Sequence, residues 1–221
     1  MFEPELHKAS IMWQARQMRF QVLVEGSPRA VELGFGNAQD LRAISHWRAP
    51  TSARGRPGVR DTIEFARFAS KRHRHYLRSI PTAASIAEFE GIIRENAQAE
   101  VAMLLLVRAP WFGRPPILGL AQCRRTYCHH LVLEFLSVHP AIVGRLDPRI
   151  SGVGKGLLYG LAALAGRLAL TLIWGEATAY SAPFYSHVLA EPGIEDHFFI
   201  RGNSLDRCRR EFREKFFGGL D

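Results

Sequence analysis

The chain has 221 residues of ordinary globular composition, 47% hydrophobic and 23% charged, and a core of useful size can be buried at this length without staples. Its three cysteines, Cys123, Cys128 and Cys208, are sparse and odd in number, so they read as reduced thiols and exclude a disulfide framework. The formal charge of +8 favours nucleic acid, anionic membranes and phosphorylated cofactors alike, and so narrows the sign of a partner and nothing more.

The first residues, MFEPELHKASIMW, carry acids early and have no apolar run before a small-residue cleavage site. No signal peptide is expected there, and the expected location is cytoplasmic. Residues 18–35 hold two short apolar runs around Gly26-Ser27-Pro28, the pattern of a strand pair. Asn37 is placed to cap a helix running to Trp47. Residues 51–60, with Gly, Pro and Arg and no apolar period, read as an exposed loop. Residues 61–79 then carry Ile63, Phe65, Phe68, Tyr76 and Leu77 at roughly helical spacing. Within them Lys71-Arg72-His73-Arg74-His75-Tyr76 and Arg78 make a basic face, more often solvated than functional, whose partner if functional is RNA. Ser85 followed by Glu88 is a capping-box pattern, and Ile86, Phe89, Ile92 and Ile93 continue it as an apolar stripe.

From residue 101 the signal changes to strand, turn, strand: VAMLLLVRA, the Gly/Pro-containing WFGRPP, and ILGLAQCRRT. Residues 130–140 are a third strand. A loop with Gly144, Asp147 and Pro148 leads to a helix, for which Ser151 is a natural cap and Leu157, Leu158, Leu161 and Leu164 supply the buried face. LALTLIW at 168–174 is fully apolar and is expected to be a central strand covered on both faces. The apolar stretch from Gly156 to Trp174 is interrupted by Gly166 and Arg167, so helix, turn and strand explain it better than a membrane span. Ser181-Ala182-Pro183 opens a short helix, HFFIRG at 197–202 is a last strand, and a terminal helix places Leu205, Cys208, Phe212 and Phe216 on one side. A strand–helix–strand crossover makes strands 130–140 and 168–174 parallel neighbours.

The informative run is Arg149-Ile150-Ser151-Gly152-Val153-Gly154-Lys155. Its glycines let a ligand approach the backbone and tolerate positive φ. The helix starting here points unpaired N–H groups outward, with about half a unit of positive charge, which suits a pyrophosphate. Arg149 and Lys155 flank it with full charges. The spacing is neither a P-loop nor a complete dinucleotide fingerprint.

This run has the form R-x-x-G-x-G. Together with the preceding Leu136-Ser137-Val138-His139-Pro140 and the following GEAT and SAPFY, it resembles the GCN5-related N-acetyltransferase (GNAT) superfamily over residues 100–202. The resemblance implies an α/β fold with a mixed, largely antiparallel central sheet, splayed parallel strands at 130–140 and 168–174, and flanking helices. It implies that Arg149, Ile150, Ser151, Gly152, Val153, Gly154 and Lys155 hold the pyrophosphate of acetyl-CoA, and that Leu136, Ser137 and Val138 offer main-chain groups to the pantetheine and acetyl carbonyl. An N–H there would serve as oxyanion donor. Tyr185 matches the family tyrosine that protonates the departing thiolate.

Glu134 is the first candidate for the base that deprotonates the amine, since period-two alternation places it on the face of Leu136 and Val138; a family bulge could shift that register. His139 and Glu176 are weaker candidates. The expected whole is one acyltransferase domain over residues 1–221, with acceptor-side helices in 1–99 and a terminal helix at 203–217. Acetyl-CoA is its donor and an amine-bearing small molecule, peptide or aminoacyl-tRNA its acceptor. No membrane partner is expected, and a homodimer is left open. The alternative is a basic nucleic-acid-binding module using residues 51–78, with a degenerate coenzyme pocket. Cys123, Cys128, His129 and His130 lack a second ligand pair at zinc spacing, so no metal is expected.

Overall fold

The computed structural model describes residues 18–56, 58–146 and 148–216; the N-terminal segment read as lacking a leader lies outside them. Alternating burial makes Met18–Val24 a half-buried strand, β1, with Phe20 and Val22 inward. It turns at Glu25 and Gly26, both at positive φ, into β2, Ser27–Phe35. Next come α1 (Ala38–Ser45), α2 (Val59–Ser79) and α3 (Ile86–Glu95), then β3 (Val101–Arg108), β4 (Ile117–Arg125) and β5 (Leu131–Val138). Short α4 (Pro140–Val143) and β6 (Ile150–Ser151) precede α5 (Val153–Arg167), β7 (Leu172–Glu176), α6 (Ala182–Leu189), β8 (His197–Arg201) and α7 (Asn203–Glu211).

All eight strands join one sheet in the order β6-β1-β2-β3-β4-β5-β7-β8. Every neighbouring pair is antiparallel except β5 and β7. The fold is thus α/β with a mixed, largely antiparallel sheet, as expected. β3 and β4, apolar on both faces, form its centre. One face packs on Leu41, Ile44, Ala66 and Ala69 of α1 and α2, the other on Leu157, Leu158, Leu161 and Leu164 of α5 with Leu205 and Cys208 of α7.

Four local expectations change. α2 begins at Val59 and turns Thr62, Ala66, Ala69, Ser70, His73 and Tyr76 inward, while Phe68 and Leu77 are 46% and 52% exposed. Small and polar groups let the helix lie close to α1 and the sheet: Ser70 Oγ donates to Leu41 O of α1 at 3.0 Å, and His73 Nδ1 lies 2.9 Å from Gln122 Oε1 of β4. Ser151 is not the cap of α5; it pairs with Leu23 of β1, and Gly152 at φ +92° opens the helix. The helix also runs on to Arg167, and Ala169 takes a left-handed turn, so the strand expected at 168–174 is only Leu172–Glu176. That strand lies one place from the sheet edge with alternate residues buried, not at the centre. In the loop at 51–60, Ala53 is fully buried within a short 3₁₀ turn.

The Asn37 cap is as expected: its side chain accepts from Gln39 N and Asp40 N, and Asp40 reaches back to Asn37 N at 2.9 Å. No helix among the described residues is long and apolar enough to cross a membrane. Cys123 is buried in β4 while Cys128 is exposed at the corner, and His129 Nδ1 lies 3.0 Å from Arg125 Nη2. No cluster of metal-ligating side chains forms among the described residues.

The parallel ladder is brief. Leu131, Val132 and Leu133 pair with Ile173, Trp174 and Gly175, after which the two strands part. At the parting point β5 carries a bulge: Gln122 faces Phe135 and Cys123 faces Leu133, leaving Glu134 as the extra residue. A bulge bends its strand and increases local twist. On the other side Ala177 N donates to Asp196 O at 2.7 Å, drawing the chain after β7 toward β8. Gly175 makes the last close pairing feasible, because a Cβ there would sit 2.6 Å from Leu133 O and 2.8 Å from Phe198 Cζ. Gly175→Ala should therefore cost about 1–3 kcal/mol and lower Tm by several degrees in a thermal melt; an unchanged Tm would contradict this packing.

Candidate functional site

The gap left by the parting strands is a cavity of about 240 Å³. Leu136, Ser137 and Val138 of β5 form one wall; Thr178, Tyr180 and Ser181 after β7, with Phe184 and Tyr185 of α6, form the other. Gly154 lines one end, and Gly58, Asp61, Thr62 and Phe65 bring the start of α2 across it.

Main-chain direction along β5 follows from its register. The His139 N–H donates to Leu118 O at 2.8 Å, so by antiparallel alternation residues 135, 137 and 139 point their amides at β4. Leu136 and Val138 then direct theirs into the gap. The Val138 carbonyl is engaged there, accepting from Thr62 Oγ1 at 2.6 Å, while Ser137 Oγ donates to Thr62 O at 2.7 Å. Among the described residues the N–H groups of Leu136 and Val138 donate to no protein acceptor outside the sheet ladder.

The helix start is built as a backbone device. Arg149 is clamped to the β1–β2 turn, its N–H donating to Glu25 Oε1 at 2.6 Å and its carbonyl accepting from Glu25 N at 2.9 Å. Ile150 and Ser151 pair with β1, and Gly152 at φ +92° then turns the chain into α5. Gly156 N donates back to Gly152 O at 2.8 Å, closing the first turn. The amides of Val153, Gly154 and Lys155 precede that bond and have no intrahelical partner. A Cβ on Gly154 would lie 3.2 Å from Phe184 Cζ and 3.6 Å from Val138 Cγ2, so glycine keeps this end of the cavity open.

The flanking charges are distributed differently from the sequence expectation. Lys155 lies 3.5 Å from Glu211 Oε2 and over the Tyr159 ring, committed to the α7 side. Val153 is buried in the core. Arg149, exposed, lines a second hollow with Arg145, Glu25 and Ser151. Arg145 was invisible in the sequence because only the fold of the long loop brings it beside Arg149.

Tyr185 is 5% exposed, stacked on Phe198 at 3.9 Å and set edge-on to Phe184 at 5.1 Å. Burial, with the neighbouring Cys123 thiol second, pushes its phenol well above the usual range, so it stays protonated in alkaline solution. Its side chain lines the cavity, and among the described residues the phenol hydroxyl has no protein hydrogen-bond partner, while the backbone N–H donates to Ser181 O at 3.1 Å.

Glu134 does not share the face of Leu136 and Val138. The bulge turns it toward α2, where Oε1 accepts from Tyr76 Oη and lies 3.4 Å from Arg124 Nε. The acid on the cavity wall is Asp61, in the first turn of α2, which the sequence did not single out. Glu176 is exposed at the end of β7. His139 is wedged between Trp47 and Phe112 at 5.1 and 5.0 Å, and its Nδ1 accepts from Ala141 N at 3.2 Å as a helix cap. Burial lowers its pKa to about 4.

No family model and no curated protein matches this sequence. Among solved structures, the chain is similar to a GNAT-family acetyltransferase from Staphylococcus aureus Mu50, 13% identical over 76% of this chain and 97% of that one, with a TM-score of 0.41. A second similarity is to the PaiA N-acetyltransferase of Thermoplasma acidophilum in complex with coenzyme A, 12% identical, covering 79% of this chain and 100% of that one, TM-score 0.45. A third is to a chimera of the spermidine N-acetyltransferase SpeG of Vibrio cholerae, 14% identical, covering 80% and 97%, TM-score 0.43.

His139 gives a pH test of the site's frame. With a folded pKa near 4 and an unfolded value near 6.5, the unfolded chain holds more protons between those limits, so stability falls as pH drops from 6.5 to 4. His139→Asn, which keeps a cap acceptor without titrating there, should flatten that fall in urea midpoints. An identical slope in parent and variant would contradict a buried neutral His139.

Proposed function

We propose that this protein transfers an acetyl group from acetyl-CoA directly to an amine. The observation that carries the reading is the juxtaposition of unbonded amides at the start of α5 with a cavity between parting parallel strands, walled by a buried tyrosine. The residues present fit the coenzyme. Amides of Val153, Gly154 and Lys155 would hold its pyrophosphate at the positive end of the helix, with Arg149 and Arg145 supplying full charges nearby. The outward main chain of Leu136 and Val138 would take the extended pantetheine arm as an added strand takes a sheet edge. When bound, acetyl-CoA supplies an activated acyl group on sulfur.

The chain's own groups then have distinct tasks. An N–H of Leu136 or Val138 donates to the acyl oxygen as it gains negative charge. Tyr185, kept protonated by burial, donates its proton to the sulfur as the carbon–sulfur bond breaks and the carbon–nitrogen bond forms. Asp61, on the cavity wall and in no ion pair among the described residues, replaces Glu134 as our candidate for the base that accepts the amine's proton. Holding both substrates together makes a covalent enzyme intermediate unnecessary.

Thermal-shift titration with acetyl-CoA should give a saturable rise, which Gly152→Val should abolish because valine cannot adopt φ +92° without strain. Absence of a rise in the parent would contradict the pocket. Tyr185→Phe should lower kcat by about a hundredfold with coenzyme affinity largely kept, and because its pKa is raised, the parent should show no alkaline loss from this group up to pH about 10. Equal rates for parent and variant at every pH would remove Tyr185 from the mechanism. Asp61→Asn should cut kcat/KM more than Glu134→Gln; the opposite order would return the base role to Glu134.

A further inference from the structure

The outer face of α2 carries a line of positive charge that the cavity chemistry does not use. Arg67, Lys71, Arg74 and Arg78 recur at intervals of four, three and four residues, and all four are exposed. With 3.6 residues per turn they fall within an arc of about 60°, and at about 1.5 Å per residue they span about 16 Å. None of them forms an ion pair among the described residues. Glu64, the acid on the same line, is held by Arg60 at 3.0 Å. On neighbouring elements, Glu100 and Glu134 are engaged by Arg124, and Arg42 of the packed α1 adds a further exposed cation.

Four like charges kept in single file on one rigid helix match a linear polyanion better than a plane of headgroups. A helix lying in a membrane interface needs a broad apolar face turned outward. Here the apolar and small face is buried against the sheet, and the exposed Phe68 and Leu77 fall on opposite flanks of the charged line, about 180° apart. We propose that this line binds the phosphodiester backbone of a nucleic acid without regard to base sequence, each cation displacing condensed counterions. The surface is independent of the cavity, although both use α2, whose first two turns line the cavity while the charged line runs from its third turn to its end.

Fluorescence anisotropy with a short fluorescein-labelled DNA duplex tests this. Contact with four phosphates predicts a log–log salt slope of about −3 to −4. Replacing Arg67, Lys71, Arg74 and Arg78 with Gln should weaken binding at least tenfold and remove most of that slope, with the acetyl-CoA thermal shift unchanged. A control with Arg94, Arg114, Arg201 and Arg210, also exposed, replaced with Gln loses the same formal charge and should bind as the parent does. Equal weakening by both sets would overturn the proposal, since net charge alone would then explain binding. So would an absence of duplex binding at low salt, or binding to phosphatidylserine vesicles that the line variant loses while its duplex binding stays intact. A parent that binds duplex but shows no acetyl-CoA shift would sustain this surface while refuting the transferase reading.

Discussion

The geometry of this protein depends on a ladder that stops early. β5 and β7 exchange backbone pairing over three positions and then separate inside an otherwise continuous sheet. Polar main chain left unpaired within a sheet is costly unless something satisfies it. The bulge at Glu134, the turn of Ala177 toward Asp196, and the close fit of Gly175 under Leu133 O together enforce the separation. What results is a short interior edge with donors aimed into a cavity, which the fold keeps available for an extended ligand.

α2 is the second element on which the site depends. Its inward face is small and polar, so it lies close enough for Thr62 to take the Val138 carbonyl and for Tyr76 to hold Glu134. These contacts occupy some groups of β5 and leave others. The Val138 carbonyl is used and its N–H is not; Glu134 is enclosed and Asp61 is presented. Helix packing thereby sorts which polar groups remain for chemistry.

Much of this was legible in the sequence, and the failures have physical causes. Strand and helix order from residue 101 follows from apolar runs punctuated by Gly and Pro, and Asn37 marked its helix start because its side chain suits an N-cap. The glycine run marked the start of α5 because no side chain is tolerated at φ +92° without strain. Period-two alternation misplaced Glu134 because one extra residue in β5 reverses the side on which it projects. The inward face of α2 was missed because burial there selects Ala, Ser and Thr, not the large apolar residues that signal a helix stripe. The Lys155 ammonium was set beside the ligand by proximity in sequence, whereas it lies 3.5 Å from Glu211, far along the chain, so that only the Lys155 amide faces the helix start. Thr62, Asp61, Tyr180 and Arg145 reach their places through tertiary packing, which local pattern does not encode.

The central claim is that bare amides at the α5 start and along the β5 edge receive one extended ligand. Amide chemical-shift mapping of the ¹⁵N-labelled protein titrated with coenzyme A tests it most directly. The account predicts that the largest saturable shifts fall on Val153, Gly154 and Lys155 together with Leu136 and Val138. Saturable binding whose shifts leave both groups unmoved would contradict it.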